Sequence, residues 1–203
     1  MTAGRHRSFD KDKTLEQAML VFWKNGYPGT SLTDLTTVMG INKSSLYAAF
    51  GNKEELFNQA IEFYLNKHGV VHSAELFKTE LSLNEGSLKE RIRNYLLSIA
   101  SMLTSPDLPK GCFICLSTSE IAGDCLPENS ATNINDINKQ TLISLTEFFE
   151  GEQQEGNLIA GSSPTTIANY LLTLQFGLAV AARNGSSMEE LKETVDFSIG
   201  LFR

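Results

Sequence analysis

Apolar residues recur three and four positions apart along almost the whole chain, and no segment alternates with the period of two that is typical of a half-buried strand. The first such stripe lies before Gly26, a typical C-terminal stop for a helix. It consists of Leu15, Ala18, Met19, Phe22 and Trp23. This periodicity predicts an all-α protein.

Polar N-cap residues mark the starts of three more helices, at Ser31, Asn42 and Asn52. The helix that begins after Ser31 ends at Gly40, and only the turn MGIN separates it from the helix that begins after Asn42. Two short helices joined by so tight a turn predict a helix-turn-helix, a motif whose second helix enters the major groove of DNA.

Longer stripes of the same period predict a helical bundle for most of the remaining chain. The predicted helices cover residues 88–103, 112–123, 128–151, 165–183 and 187–202. The helix over 165–183 is apolar on almost every side, so we expect it to be buried on both of its faces. Phe202 is expected to be buried at the end of the last helix. Residues 66–86 carry no clear pattern.

The formal net charge of the 203-residue chain is −7, which by itself argues against binding of nucleic acid. The charges are unevenly distributed, however. Residues 1–53 hold seven Lys and Arg against four Asp and Glu, whereas residues 54–203 hold ten against twenty. Such asymmetry indicates a small basic module that faces an anion, attached to an acidic body. We therefore predict two domains, residues 1–53 and residues 54–203.

The polar N-terminal segment lacks the apolar core of a signal peptide, and no apolar run reaches the roughly 20 residues of a membrane span. We therefore expect a cytoplasmic protein without a membrane partner. In that compartment the three cysteines, Cys112, Cys115 and Cys125, are expected to be reduced thiols.

Two lysines occupy helix positions that are unfavourable for a cation. Lys43 and Lys53 stand at the first position of the third and fourth predicted helices, where the positive end of the helix dipole opposes each by about 0.3–1 kcal/mol. A phosphate group reverses this effect, because the helix N-terminus and the lysine then attract the same anion. The alternative is that both are ordinary exposed lysines without a functional role.

The outward face of the third helix carries further groups that suit DNA. Because two apolar residues already fill its inward face, Tyr47 is expected to be exposed, either to donate a hydrogen bond to phosphate or to pack against the second helix. Ser44 and Ser45 could bond almost any base, whereas Lys43 is the best candidate to read a guanine.

The run GYPGTSLTDLTTVMGINKSSLYAAFGNKEELFNQAIEFY, residues 26–64, resembles the DNA-binding region of the TetR family of bacterial transcriptional regulators. The resemblance rests on GY at the end of the first helix, TSLTDL at the start of the second, MGINKSSLYAAF and NKEEL. Many family members carry an aromatic residue or a histidine where this chain has Ala48 and Ala49. The resemblance implies base-proximal positions for Lys43, Ser44 and Ser45, and phosphate contacts for Thr30, Ser31, Tyr47 and Lys53.

The resemblance also implies a homodimer on a palindromic operator, with a body that encloses a pocket for a small-molecule effector. The matching interface is a four-helix bundle of residues 128–151 and 165–183 from each subunit, although 165–183 could instead be the central helix of a monomeric bundle. Binding of a mostly apolar or aromatic effector would shift the DNA-binding heads and release a repressor from DNA. Candidate lining residues, each of which could also be plain core, are Tyr95, Met102, Phe113, Cys115, Phe148 and Phe176.

The segment KGCFICLSTSE places two cysteines on one helical face, since Cys112 and Cys115 are three residues apart. Three interpretations stay open. The cysteines could be small buried apolar residues, or they could bind a metal. Alternatively, Cys112 could sense an oxidant or electrophile, because a helix N-terminus and Lys110 both favour a thiolate. No standard zinc spacing is present, and we predict neither a metal site nor a cofactor.

Two other classes of protein compete with a regulator. A small helical enzyme lacks support, because the chain has no Gly-rich phosphate loop, no H-E-x-x-H motif and only three histidines to serve a cysteine nucleophile. A helical adaptor without a DNA role leaves the lysine pair unexplained. We therefore expect a DNA-binding regulator, not an enzyme, with an N-terminal three-helix DNA-binding head and a C-terminal helical bundle for dimerisation and ligand binding.

Overall fold

The structure, a computed structural model, describes residues 10–77, 86–158, 161 and 163–200. The regular structure of these residues is helical, so the predicted all-α class is confirmed. A π-helical turn, Leu65–Gly69, joins α4 to α5. The α-helices are α1 (Lys11–Asn25), α2 (Leu32–Met39), α3 (Lys43–Phe50), α4 (Lys53–Tyr64), α5 (Val70–Leu76), α6 (Leu88–Leu103), α7 (Phe113–Ala122), α8 (Glu128–Gln154), α9 (Pro164–Arg183) and α10 (Met188–Gly200).

Local side-chain bonds produce the predicted starts of α2 and α3. The Ser31 hydroxyl accepts the Asp34 N–H while the Asp34 carboxylate accepts the Ser31 N–H, which forms a capping box. Asn42 Oδ1 accepts the Ser45 N–H at 2.8 Å and caps α3. Gly40 ends α2 at φ 65° and ψ 25°, a left-handed conformation that glycine adopts without a steric penalty. These bonds set the tight turn of the helix-turn-helix.

The head formed by α1, α2 and α3 shares a hydrophobic cluster with α4 and with three buried residues of the body, Phe113 and Ile114 of α7 and Ile134 of α8. All of α4 packs into this cluster, through Leu56, Phe57, Ala60, Ile61 and Tyr64. The predicted boundary between residues 53 and 54 assigns almost all of α4 to the body, whereas α4 packs with the head. The boundary therefore stays a prediction.

A second hydrophobic cluster, built mainly from α6, α8, α9 and α10, forms the core of the body. The two helices expected at a dimer interface are both present, as α8 and α9, and α8 extends three residues beyond the predicted end to Gln154. The segment without a clear pattern contains the π-helical turn and α5, while residues 78–85 and Phe202 lie outside the described residues.

Candidate nucleic-acid interface and ligand cavity

One face of α3 is buried in the head and the other lies on the surface. Leu46 and Phe50 are 0% and 2% exposed and fix α3 against the head cluster. On the opposite face Lys43 and Ser44 are exposed, and Tyr47 is 47% exposed. The predicted base-proximal lysine and the predicted phosphate-contacting tyrosine therefore share an accessible surface.

Small residues leave that face of α3 without long side chains, so the helix backbone can approach DNA closely. Ala48 is exposed and Ala49 is half-buried, so neither adds a long side chain to α3. The Ser44 hydroxyl donates to Asn42 Oδ1 at 2.6 Å and thereby strengthens the cap. Ser45 is half-buried, and its N–H is bound by the same Asn42 oxygen. The hydroxyl oxygen of Ser44 still has acceptor capacity toward a base edge.

The two residues before α2 have different environments. Ser31 is exposed, and its hydroxyl and N–H both bond to the Asp34 carboxylate, hydrogen bonds that lower the pKa of that carboxyl group. Thr30 is only 1% exposed, and its hydroxyl donates to the Gly26 carbonyl at 2.6 Å. The Thr30 side chain is thus directed into the turn after α1, and the geometry does not support the phosphate contact predicted for it.

Lys53 is not the freely exposed cation that the sequence suggested. Its Nζ donates to the Tyr27 carbonyl at 2.7 Å and lies 4.1 Å from the centre of the Tyr27 ring. Partial burial lowers the pKa of Lys53, and the charge of Glu120 acts in the opposite direction. The ammonium group therefore already stabilises the turn that follows α1.

A cavity of about 1000 Å³ lies in the body and is bordered by residues of all six helices from α4 to α9. Four of the predicted lining residues border it, namely Tyr95, Met102, Phe148 and Phe176. Phe113 and Cys115 do not. Phe113 is fully buried and packs edge-on against the Phe57 and Tyr64 rings. Cys115 is buried against the Phe176 carbonyl, so both residues belong to the core.

The cavity wall also carries polar groups, among them the hydroxyls of Tyr64 and Tyr95. Tyr64 Oη donates to Cys112 Sγ at 3.4 Å, and burial raises the pKa of Tyr64 well above its ordinary value. Burial raises the pKa of Tyr95 to about 12, while the nearby Gln175 amide acts in the opposite direction. The described lining includes no Lys or Arg, and its two carboxylates, Asp136 and Glu147, are exposed, so the lining offers no cation to an anionic ligand.

His72 is another lining residue that sequence reasoning missed. Its Nδ1 lies 3.0 Å from Ser98 Oγ and its Nε2 lies 3.2 Å from Met102 Sδ. Burial lowers the pKa of His72, which favours the neutral ring near pH 7. No local signal could have revealed this residue, because its partners are 26 and 30 positions away in the sequence.

The three thiols differ in their surroundings. Cys112 is half-buried on the cavity wall, Cys125 is exposed, and burial raises the pKa of Cys115 to about 11. Lys110 does not approach Cys112 as its position suggested. Its Nζ donates to the carbonyl groups of Thr104 and Ser105 instead. Among the described residues, no three His, Cys, Asp or Glu side chains are grouped to hold a metal ion.

Residues 15–60 match the sequence model for bacterial regulatory proteins of the tetR family. The transcriptional repressor ComR of Escherichia coli K12 is 32% identical over 202 residues, which cover 98% of this chain and 91% of ComR. YezE of Bacillus subtilis, an uncharacterised HTH-type transcriptional regulator, is 30% identical, with 98% of both chains covered. A cysteine mutant of the regulator CifR, solved with 26-bp double-stranded operator DNA, has a TM-score of 0.84 at 30% identity and covers 98% of this chain and 100% of CifR.

Proposed function

The chain belongs to the TetR family of bacterial regulatory proteins and is a DNA-binding transcriptional regulator rather than an enzyme, and we propose that it represses transcription as a homodimer on a near-palindromic operator. The observation that carries the proposal is the exposed face of α3, where Lys43, Ser44 and Tyr47 lie together above a buried Leu46. A regulator of this kind acts on chromosomal DNA, so we place it in the cytoplasm.

In the proposed complex the N-terminal end of α3 lies in the major groove. Lys43 reads a guanine, and Ser44 and Ser45 accept or donate hydrogen bonds at neighbouring base edges. Tyr47 and Ser31 contact phosphates, together with the N-terminal end of α4 at Lys53. Thr30 acts indirectly, since its hydroxyl holds the turn that precedes Ser31.

The homodimer is proposed to form through α8 and α9. Among the described residues, α9 is the one helix long and apolar enough to span a membrane by length and composition, yet only 28% of its apolar window is buried. Thr173, Gly177, Val180 and Asn184 are exposed on a single face at the four-three-four spacing of a helical seam. Because Val180 is 49% exposed, a second copy of the chain would remove this apolar surface from water.

The effector is proposed to be a neutral, mostly apolar or aromatic small molecule that binds in the cavity. Phe148 and Phe176 would contact its apolar part, and Tyr95 and Gln175 would bond to a polar group. Since α4 carries Tyr64 at the cavity wall and packs with the head at its other end, a bound molecule that displaces α4 would change the spacing of the two heads.

Selection of binding sites from random duplex DNA, with reduced protein at moderate salt, tests the proposal directly. Enrichment of a near-palindrome is expected, because two symmetric heads read two copies of one half-site. Recovery of no consensus, together with binding that vanishes at modest salt, would contradict sequence-specific dimeric binding, since contacts to phosphate alone are strongly salt-dependent.

Replacing Lys43 with alanine is expected to relax base preference at one position of each half-site. A bidentate contact from lysine to guanine contributes about 1–3 kcal/mol of discrimination, which the variant loses. The measurement is the affinity for the selected operator and for all single-base variants of it.

Two other variants serve as comparisons for Lys43→Ala. Tyr47→Phe removes a proposed phosphate contact, so it is expected to weaken binding to every sequence by a similar factor. Lys89→Ala removes an exposed lysine from the first turn of α6, in the body, and should leave binding unchanged. An unaltered selectivity profile for Lys43→Ala would remove Lys43 from the base-reading role.

Dilute hydrogen peroxide is expected to release DNA from the wild-type protein but not from Cys112→Ser, if Cys112 senses oxidants. The Cys112 thiolate would attack one peroxide oxygen, and the S–O bond would form as the O–O bond breaks, which gives a sulfenic acid and a hydroxide ion. Tyr64 Oη lies in position to stabilise that thiolate. Cys125→Ser is the matched control, because Cys125 is the exposed thiol outside the cavity. Equal release from wild type and Cys112→Ser in a DNA-binding assay would end this part of the proposal.

A further inference from the structure

Two charged side chains of the body contact the C-terminal end of α1, and we propose that these residues, Glu120 and Arg183, set the angle of the DNA-binding head. We call this pair the α1 anchor. The inference rests on the proposed dimeric binding to two half-sites. Neither residue belongs to the exposed face of α3, and they lie on α7 and α9.

Arg183 binds the open end of α1. The last carbonyl groups of any helix lack partners within that helix, and they carry the negative end of its dipole. Arg183 Nη2 donates to the carbonyl oxygens of Trp23 and Lys24 at 2.8 and 3.0 Å, and Nη1 donates to that of Lys110 at 3.3 Å. One guanidinium group thus joins α1, the loop before α7 and the end of α9.

Glu120 binds the turn that follows the same helix end. Its carboxylate accepts the Tyr27 N–H at 3.2 Å. Gly26 has φ 74°, and a Cβ at this position would overlap the Glu120 carboxylate. Partial burial raises the pKa of Glu120, while the Tyr27 N–H and the charges of Arg183 and Lys53 act in the opposite direction. The backbone of the turn and the carboxylate are therefore in direct contact.

The α1 anchor constrains the orientation of the head relative to the body. The chain continues from head to body through α4, and the shared hydrophobic cluster and the Trp23–Gly111 hydrogen bond also join the two parts. The α1 anchor adds charged hydrogen bonds at the C-terminal end of α1, a helix about 22 Å long, so it constrains the direction of that helix. Because α3 packs into the same cluster as α1, fixing the direction of α1 also fixes the direction of the recognition helix.

This constraint can be measured through the dependence of DNA affinity on the distance between the two half-sites. A dimer whose heads are held at one angle accepts half-sites at one separation, about 34–36 Å or a multiple of it. One extra base pair turns a half-site by about 35°, which a fixed head cannot follow. A head that rocks can follow part of this rotation. Glu120 and Arg183 are therefore positioning residues, and their loss should alter tolerance to spacing without altering which bases are read.

The experiment measures affinity for the selected near-palindrome, for versions with one base pair added to or removed from its centre, and for a single half-site. The variants are Arg183→Met, which keeps an apolar stem without donors, and Glu120→Met, which keeps a similar volume without an acceptor for the Tyr27 N–H. Arg93→Met is the matched control, because Arg93 pairs with Asp196 at 2.6 Å between α6 and α10, within the body.

In the wild type and Arg93→Met, altered spacing is expected to weaken binding by at least about tenfold. In Arg183→Met and Glu120→Met it is expected to weaken binding by no more than about threefold. Half-site affinity should be equal in all four proteins. Arg183→Lys should recover part of the discrimination, since an ammonium group can still reach one carbonyl of α1. Both anchor variants are first compared with the wild type by thermal unfolding, and Glu120→Met alone tests the inference if Arg183→Met does not fold.

Two results would overturn the inference, and they distinguish failure of the α1 anchor from failure of the proposed dimeric binding. If the wild type discriminates between spacings and both anchor variants discriminate equally well, the α1 anchor does not set the head angle, although dimeric binding stands. If the wild type itself shows no preference for one spacing, binding to two coupled half-sites is wrong and the anchor inference fails with it.

Discussion

Replacing Trp23 with alanine is expected to lower the free energy of unfolding by about 3–5 kcal/mol, the range for removal of a large buried aromatic side chain. Trp23 is fully buried, and its ring packs edge-on against Tyr64 at 4.9 Å between centroids. Its Nε1 also donates to the Gly111 carbonyl at 3.0 Å, so the indole joins α1 to the loop before α7. The loss would therefore weaken the contact between head and body as well as the core.

Trp23→Phe separates the two contributions. Phenylalanine keeps much of the apolar contact but cannot donate to Gly111, and an unsatisfied buried carbonyl costs about 1–3 kcal/mol. Urea unfolding at one fixed protein concentration measures both variants, since the stability of a dimer depends on concentration. A change below about 1 kcal/mol for Trp23→Ala would show that the site collapses around the missing ring and that Trp23 does not hold the junction.

Gly111→Ala is expected to be the most damaging single glycine substitution near the cavity. Gly111 has φ 79°, where an L-residue costs about 1–2 kcal/mol. A Cβ would also lie 2.8 Å from the Ala179 carbonyl and 3.1 Å from Arg183 Cβ, so α9 or the loop must shift. Overpacking of this kind costs about 1–3 kcal/mol more, which gives a total loss of about 2–5 kcal/mol.

Gly156→Ala is the matched control for this substitution. Gly156 has the same φ of 79°, and no atom lies within 4 Å of its added Cβ, so it reports the backbone cost alone. The difference between the two unfolding free energies isolates the collision with α9. If both glycines tolerate alanine equally, the approach of the Gly111 loop to α9 is looser than the structure describes.

The helix-turn-helix could be predicted from the sequence because its bonds are short-range. The Ser31 capping box and the Asn42 cap each span three residues, and the spacing of Leu46 and Phe50 alone assigns the inward face of α3. An exposed Tyr47 followed from the same periodicity. Interactions within a few residues depend little on the rest of the fold, so a pattern along the chain is enough to locate them.

The lining of the cavity could be predicted only in part, because it depends on how distant helices pack and not on local spacing. Apolar residues that face a cavity and apolar residues that fill the core have the same periodicity. Sequence reasoning therefore grouped Phe113 and Cys115, which lie in the core, with Tyr95 and Phe148, which line the cavity. It passed over Gln175, a polar residue on α9 that also lines the cavity.

By itself, the sequence determined the helical class, the helix starts with their caps, and the exposed face of α3 that we propose contacts DNA, because each depends on residues three or four positions apart. Only the tertiary structure decided that Lys53 bonds to Tyr27, that Thr30 is buried, and that Lys110 is turned away from Cys112. It alone brought Arg183 onto α1, across 159 and 160 positions of the chain. Such contacts depend on how whole helices pack, which no local spacing of residues encodes.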